Sequence, residues 1–205
     1  MTRSSFRPAV LRNGIVVDDP LQVVLGFPAS DWHFDIGDDS RPVSFGEPDL
    51  RLANRGGARI SAAEIAAILE RRRAVERALR AIAPEASLTG AASSVPWLPL
   101  SQLFEGFADI RGVGLSKMTK ALHPKRPALM PMLDSVVQKY LEDDDPGAGA
   151  PFGERAIGLV RAYKRDLDLN RASMQAVRRE LAKRGSHLTE VRILDLLIWS
   201  VGVPA

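Results

Sequence analysis

The chain of 205 residues contains no cysteine, which excludes disulfide bridges, cysteine-held zinc and thiolate-bound iron–sulfur clusters. Its only histidines, His33, His123 and His187, lie too far apart in sequence to make a metal-ligand spacing, so no metal and no cofactor is expected. No apolar run approaches the length of a membrane span, and the first residues carry Arg3, Arg7 and Arg12 without the apolar stretch of a signal peptide. The expectation is a cytoplasmic protein without a membrane. Repeats and low-complexity tracts are absent too.

What is present is the composition of a globular chain. At 45% hydrophobic and 26% charged residues it can bury a sizeable core, and its length suits one main domain with an appendage. The formal net charge of +3 permits a polyanionic partner without demanding one.

Residues 1–57 read as a small strand-containing N-terminal appendage, and residues 58–205 as a helical domain. In the first part Trp32, Phe34 and Ile36 alternate with His33 and Asp35, the period of a half-buried strand. Val23-Val24-Leu25 is a second β-type run between turn signals at Asp18-Asp19-Pro20 and Pro28, and Gly37-Asp38-Asp39 marks another turn. From Ser61 onward the signals are helical. Ser61 and Glu64 form a capping box, followed by Ile65, Ile68, Val75, Leu79 and Ile82 at helical spacing up to Pro84. Arg71-Arg72-Arg73 falls mostly outside that stripe; a solvated face is favoured over a phosphate patch.

Further helices are expected over about 100–109 and 115–122, and from Asp134 to the Asp143-Asp144-Asp145-Pro146-Gly147 break, the candidate mobile loop. Three more are marked by Ile157, Val160 and Tyr163; by Met174, Val177 and Leu181 with Gly185 as the stop; and by Val191, Leu194, Leu197, Ile198 and Val201. The last is apolar nearly all round and should be the central buried helix.

The sharpest motif is Ile110-Arg111-Gly112-Val113-Gly114 between two short amphipathic helices. Its glycines allow a tight turn and close backbone approach to a partner. The N–H groups opening the next helix lack intrahelical acceptors and can receive a phosphate. Val113 should plug the core, while Lys117 and Lys120, about one turn apart, can flank the same phosphates. His123, Lys125 and Arg126 form a basic cluster suited to a phosphate or to an acidic loop of the protein itself. The candidate nucleic-acid-binding set is Arg111, Gly112, Val113, Gly114, Ser116, Lys117, Lys120, Lys125 and Arg126, with duplex DNA as the partner. Trp97 either stacks on a base or anchors its loop.

Residues 98–142 resemble the helix-hairpin-helix region of the DNA glycosylase superfamily. There the hairpin grips the DNA backbone, and an aspartate about twenty residues past the last hairpin glycine begins the next helix. Asp134 in Pro131-Met132-Leu133-Asp134-Ser135-Val136 stands at that spacing from Gly114. The whole chain is also similar to bacterial proteins of this length known only as a domain of unknown function. The resemblance implies a mainly α fold, a helical bundle holding one helix-hairpin-helix (100–122), and Asp134 as a catalytic carboxylate. Three positions depart from the superfamily. Ser116 stands where backbone-cleaving members carry lysine, Met118 where a small residue is usual, and Val136 where histidine is common. Asp134 is also a favoured N-cap whatever its chemistry. Three functions follow: a DNA-binding protein that need not be catalytic, a monofunctional glycosylase using Asp134, or a non-enzymatic interaction protein on the same fold.

Overall fold

The computed structural model describes residues 7–28 and 42–202, and over these the chain is mainly helical. The helices are α1 (Pro20–Leu25), α2 (Glu47–Arg55), α3 (Ala62–Glu70), α4 (Arg72–Arg80), α5 (Trp97–Glu105), α6 (Leu115–Leu122), α7 (Ser135–Tyr140), α8 (Phe152–Leu169), α9 (Arg171–Lys183) and α10 (Glu190–Gly202). Among the described residues the strands are β1 (Ala9–Val10) and β2 (Val16–Val17), an antiparallel pair with Ala9 opposite Val17. The Trp32–Phe34–Ile36 alternation and the Gly37-Asp38-Asp39 turn lie outside the described residues.

Val23-Val24-Leu25 is helical, not β. Asp19 accepts the Gln22 N–H at 3.1 Å, and Pro20 takes the first helical position, where its missing N–H removes no hydrogen bond. Leu21 and Val24, one turn apart, are both buried, and that burial outweighs the strand preference of paired valines. The capping box is present: Glu64 N–H donates to Ser61 Oγ at 3.3 Å, and Ser61 N–H to Glu64 Oε2 at 2.8 Å. The helix expected to run on to Pro84 is instead divided at Arg71 into α3 and α4. Ile68, Val75, Leu79 and Ile82 nevertheless reach one core.

That core is built around α10, which packs on α7, α9, α1 and α8, while α5 packs on α8 and α4, and α2 packs on α6. Every residue from Glu190 to Ile198 is buried, as the apolar pattern of that helix leads one to expect. Glu190, Arg192 and Asp195 are buried with it.

The described N-terminal segment is part of the same core through Ala9, Leu11, Val17, Leu21 and Val24. It is held by α8 and by the turn that follows it. Val10 N–H donates to Asn170 Oδ1 at 2.7 Å, and the Asn170 amide returns a bond to Val10 O at 2.8 Å. Arg12 bridges Asp166 at 2.6 Å and Asp144 at 2.5 Å, and its N–H donates to the Tyr140 hydroxyl at 3.0 Å. Asp144 also pairs with Arg165, and Asp145 with Arg155 at 2.6 Å. The acidic loop is thus pinned by arginines rather than left loose; hydrogen bonds from Arg12 and Arg155 hold Asp144 and Asp145 below the usual carboxylate range. No helix among the described residues is long and apolar enough to cross a membrane.

Candidate nucleic-acid interface

Between α5 and α6 the backbone turns sharply. Val113 N–H donates to Ile110 O at 3.0 Å, closing a four-residue turn whose third residue, Gly112, has φ +82°. That is the geometry of a type II turn, in which the third position calls for glycine. A Cβ at residue 112 would also lie 2.2 Å from Glu64 Oε1, so that carboxylate would have to move. Ile110 and Val113 are buried as plugs beneath the turn. Gly114 is different. Its backbone is extended, φ −93° and ψ −177°, which any residue adopts, and a Cβ there would meet nothing within 4 Å.

No side chain caps α6. Arg111, Gly112 and Gly114 are exposed and Ser116 is half-exposed, so the start of α6 faces outward through a surface free of side chains at Gly114. First-turn N–H groups without a helical acceptor, at the positive end of the helix dipole, suit an anionic oxygen. Beside the turn a surface cavity of about 470 Å³ is lined by Ser61, Glu64, Glu70, Arg71, Asp109 and Arg111 with their neighbours.

The basic residues of the candidate set are mostly engaged inside the protein. Lys117 Nζ donates to both oxygens of Glu64 at 2.7 and 2.8 Å. Its hydrogen bond, followed by that of the Ser61 N–H, holds the Glu64 carboxyl below its ordinary range. Lys120 is buried, reaches Gly56 O at 3.2 Å and is pushed below the usual lysine range by burial. Lys125 pairs with Asp49 at 2.7 Å. Arg126 is wholly buried, donating to Leu79 O, Ile82 O, Pro42 O and Lys125 O at 2.6–2.8 Å. Lys120, Lys125 and Arg126 thus each direct the head group to a partner within the protein. Spacing along the chain shows where cations stand. It does not show that carbonyls at the ends of α2 and α4 need donors.

Asp134 is the N-cap of α7. Its Oδ1 accepts Val136 N–H at 3.1 Å and Val137 N–H at 3.0 Å, and the residue is 5% exposed. Burial raises its pKa, against the pull of those N–H groups and of Lys120. Asp134 does not line the cavity beside the turn. Deeper in the protein Asp195, which sequence reasoning missed, accepts Met132 N–H at 3.3 Å and is pushed up to about 7 by burial, with Arg192 and His123 pulling the other way. The available signal was charge within an otherwise apolar helix. Trp97 anchors its loop: the indole N–H donates to Ala92 O at 2.9 Å, and the Arg161 guanidinium lies 5.1 Å from the ring centroid.

Residues 37–202 match DUF6308, a family of unknown function. No curated protein and no solved structure matches the chain.

Proposed function

We propose that this chain, which belongs to the DUF6308 family of unknown function, binds the backbone of duplex DNA through the 110–114 turn and the start of α6, acting as a helix-hairpin-helix. The observation that carries this reading is the exposed, uncapped N-terminus of α6, opened by a glycine with no neighbour over its face. Backbone N–H groups there can close on phosphate oxygens, with Arg111 beside them. Such contacts position a protein on DNA without reading its sequence. Affinity for random-sequence duplex is therefore expected to fall steeply between about 50 and 200 mM salt, because phosphate contacts release condensed counterions, and to vary little with sequence. Fluorescence anisotropy measures both. Folded protein that fails to bind at low salt would end this reading and favour a protein partner, which the carboxylates of Glu64, Glu70 and Asp109 beside the turn also suit.

A second reading makes Asp134 the carboxylate of a monofunctional glycosylase; in its favour is the burial of that carboxyl within the field of Lys120. Asparagine caps a helix about as well as aspartate. Asp134→Asn is thus expected to change stability by less than about 1 kcal/mol, and Asp134→Ala to cost about 0.5–2 kcal/mol. Base release from duplexes with alkylated, deaminated or oxidised lesions, followed by alkali, tests the chemistry. If excision occurs, Asp134→Asn lowers it by orders of magnitude, since the amide supplies neither charge nor base. A wild-type chain inert on every lesion leaves Asp134 as a cap.

A further inference from the structure

Of the cations that follow the turn in sequence, Lys117 has its partner at the turn itself. It is the third residue of α6, where the helix dipole disfavours positive charge and where side chains lean back toward the helix start. The stability of α6 therefore does not account for it, and no acidic residue stands in that first turn to offset it. The offset comes from α3 instead. Glu64 offers both carboxylate oxygens to the Lys117 ammonium, at 2.7 and 2.8 Å. Glu64 Oε1 also lies 2.2 Å from where a Cβ would stand on Gly112, and Lys117 Nζ is 2.7 Å beyond that oxygen, so the ammonium is no more than about 5 Å from the same point. Turn, carboxylate and ammonium share one place.

The anion beside the turn in the free protein is thus the protein's own. Resting on the DNA-binding reading above, we propose that Lys117 exchanges partners on binding, leaving Glu64 for a DNA phosphate, and that Glu64 thereby sets how tightly the turn grips the duplex. Three features allow the exchange. The pair is not sealed: the Lys117 and Glu64 side chains keep 22% and 14% of their surface exposed, an ammonium on a four-carbon stem re-aims easily, and ion pairs open to water are weak enough to be traded. Glu64 keeps a role without Lys117, because its Oε2 still accepts the Ser61 N–H at 2.8 Å and the residue lines the surface cavity with Arg71 and Arg111. A phosphate also makes contacts that Glu64 does not. No side chain caps α6, so a phosphate can take its first-turn N–H groups together with the ammonium.

The test is a double-mutant cycle read by anisotropy on random-sequence duplex across a salt series: wild type, Glu64→Gln, Lys117→Gln and the two changes together. Glutamine serves a capping box as glutamate does, so α3 keeps its cap, and circular dichroism checks folding. Glu64→Gln is expected to bind about three- to tenfold more tightly than wild type, with the salt slope unchanged because the same phosphates are contacted. Lys117→Gln should bind more weakly and flatten the slope by about 0.9, the share of one phosphate contact. Removing a negative charge near DNA helps in either background, so the excess decides. The gain from Glu64→Gln should be at least about threefold larger with Lys117 present than with glutamine in its place. An ion pair that persists on DNA contributes equally to free and bound protein and gives no excess. Absence of the excess, or a wild-type slope for Lys117→Gln, overturns the inference and leaves the turn as the DNA contact. So does a Glu64→Gln slope steeper by one contact, since Lys117 would then have stayed with Glu64 in the wild-type complex. Should Glu64→Gln not fold, the Lys117→Gln slope decides alone. Wild type that fails to bind removes the DNA reading and this inference with it.

Discussion

Alanine at Gly112 is expected to lower stability by about 1–3 kcal/mol, whereas alanine at Gly114 should leave stability within about 0.5 kcal/mol of wild type and lower DNA affinity at least tenfold. The two glycines differ by one residue in sequence and by everything in environment. At Gly112 the backbone has φ +82°, a region closed to most L-residues. An added methyl would also displace the Glu64 carboxylate from its contact with Lys117. The damage would spread, because the same carboxylate caps α3. At Gly114 the backbone is extended and the space above it is empty, so a methyl strains nothing and stands where a phosphate would approach. A tenfold loss corresponds to about 1.4 kcal/mol. Thermal melts and anisotropy on the two variants separate the roles. A Gly114→Ala protein with full affinity would reduce the turn to a connection between helices.

Arg126→Ala should be the most destabilising single change, costing about 3–5 kcal/mol. Its guanidinium serves Leu79 O and Ile82 O at the end of α4, with Pro42 O and Lys125 O. Removing it strips this donor from Ile82 O and Pro42 O, while Leu79 O keeps the Ile82 N–H at 3.2 Å, at about 1–3 kcal/mol for each carbonyl left dry. Against a typical total of about 5–15 kcal/mol, that loss takes a large share. Lysine cannot reproduce the fork of donors, so Arg126→Lys should recover less than half. DNA affinity of the folded fraction should not change, since the group has no route to solvent. Urea unfolding midpoints with anisotropy on the same samples decide it. Wild-type stability with weakened DNA binding would return Arg126 to the interface.

Helices α5 to α10 were legible because their apolar residues recur at helical spacing and their ends carry local signals, such as Asp134 before α7 and Gly185 after α9. The glycine turn was legible for the same reason: its geometry is local. Helix α1 was not, because Val23-Val24-Leu25 reads as strand until the burial of Leu21 and Val24 is known. Nor was the break at Arg71, which has neither proline nor glycine to announce it. The charged residues were hardest. Lys117 and Glu64 are 53 residues apart, and Arg126 and Leu79 are 47, so no window along the chain pairs them. Whether a lysine faces solvent or a carbonyl is decided by tertiary contact, and the sequence motif carries no trace of it.

The anchoring of β1 has a consequence for the order in which the chain is made. Val10 leaves the ribosome well before its partner Asn170, which lies 160 residues further on. At a synthesis rate of about 5–20 residues per second, β1 and β2 wait roughly 10–30 s for the helices that hold them. During that interval Leu11, Val17, Leu21 and Val24, all core residues in the finished protein, have no native surface to cover them. A segment made 160 residues ahead of its partner is therefore among the last to dock, and nascent chains stalled before α8 would leave these apolar residues open to chaperones and proteases.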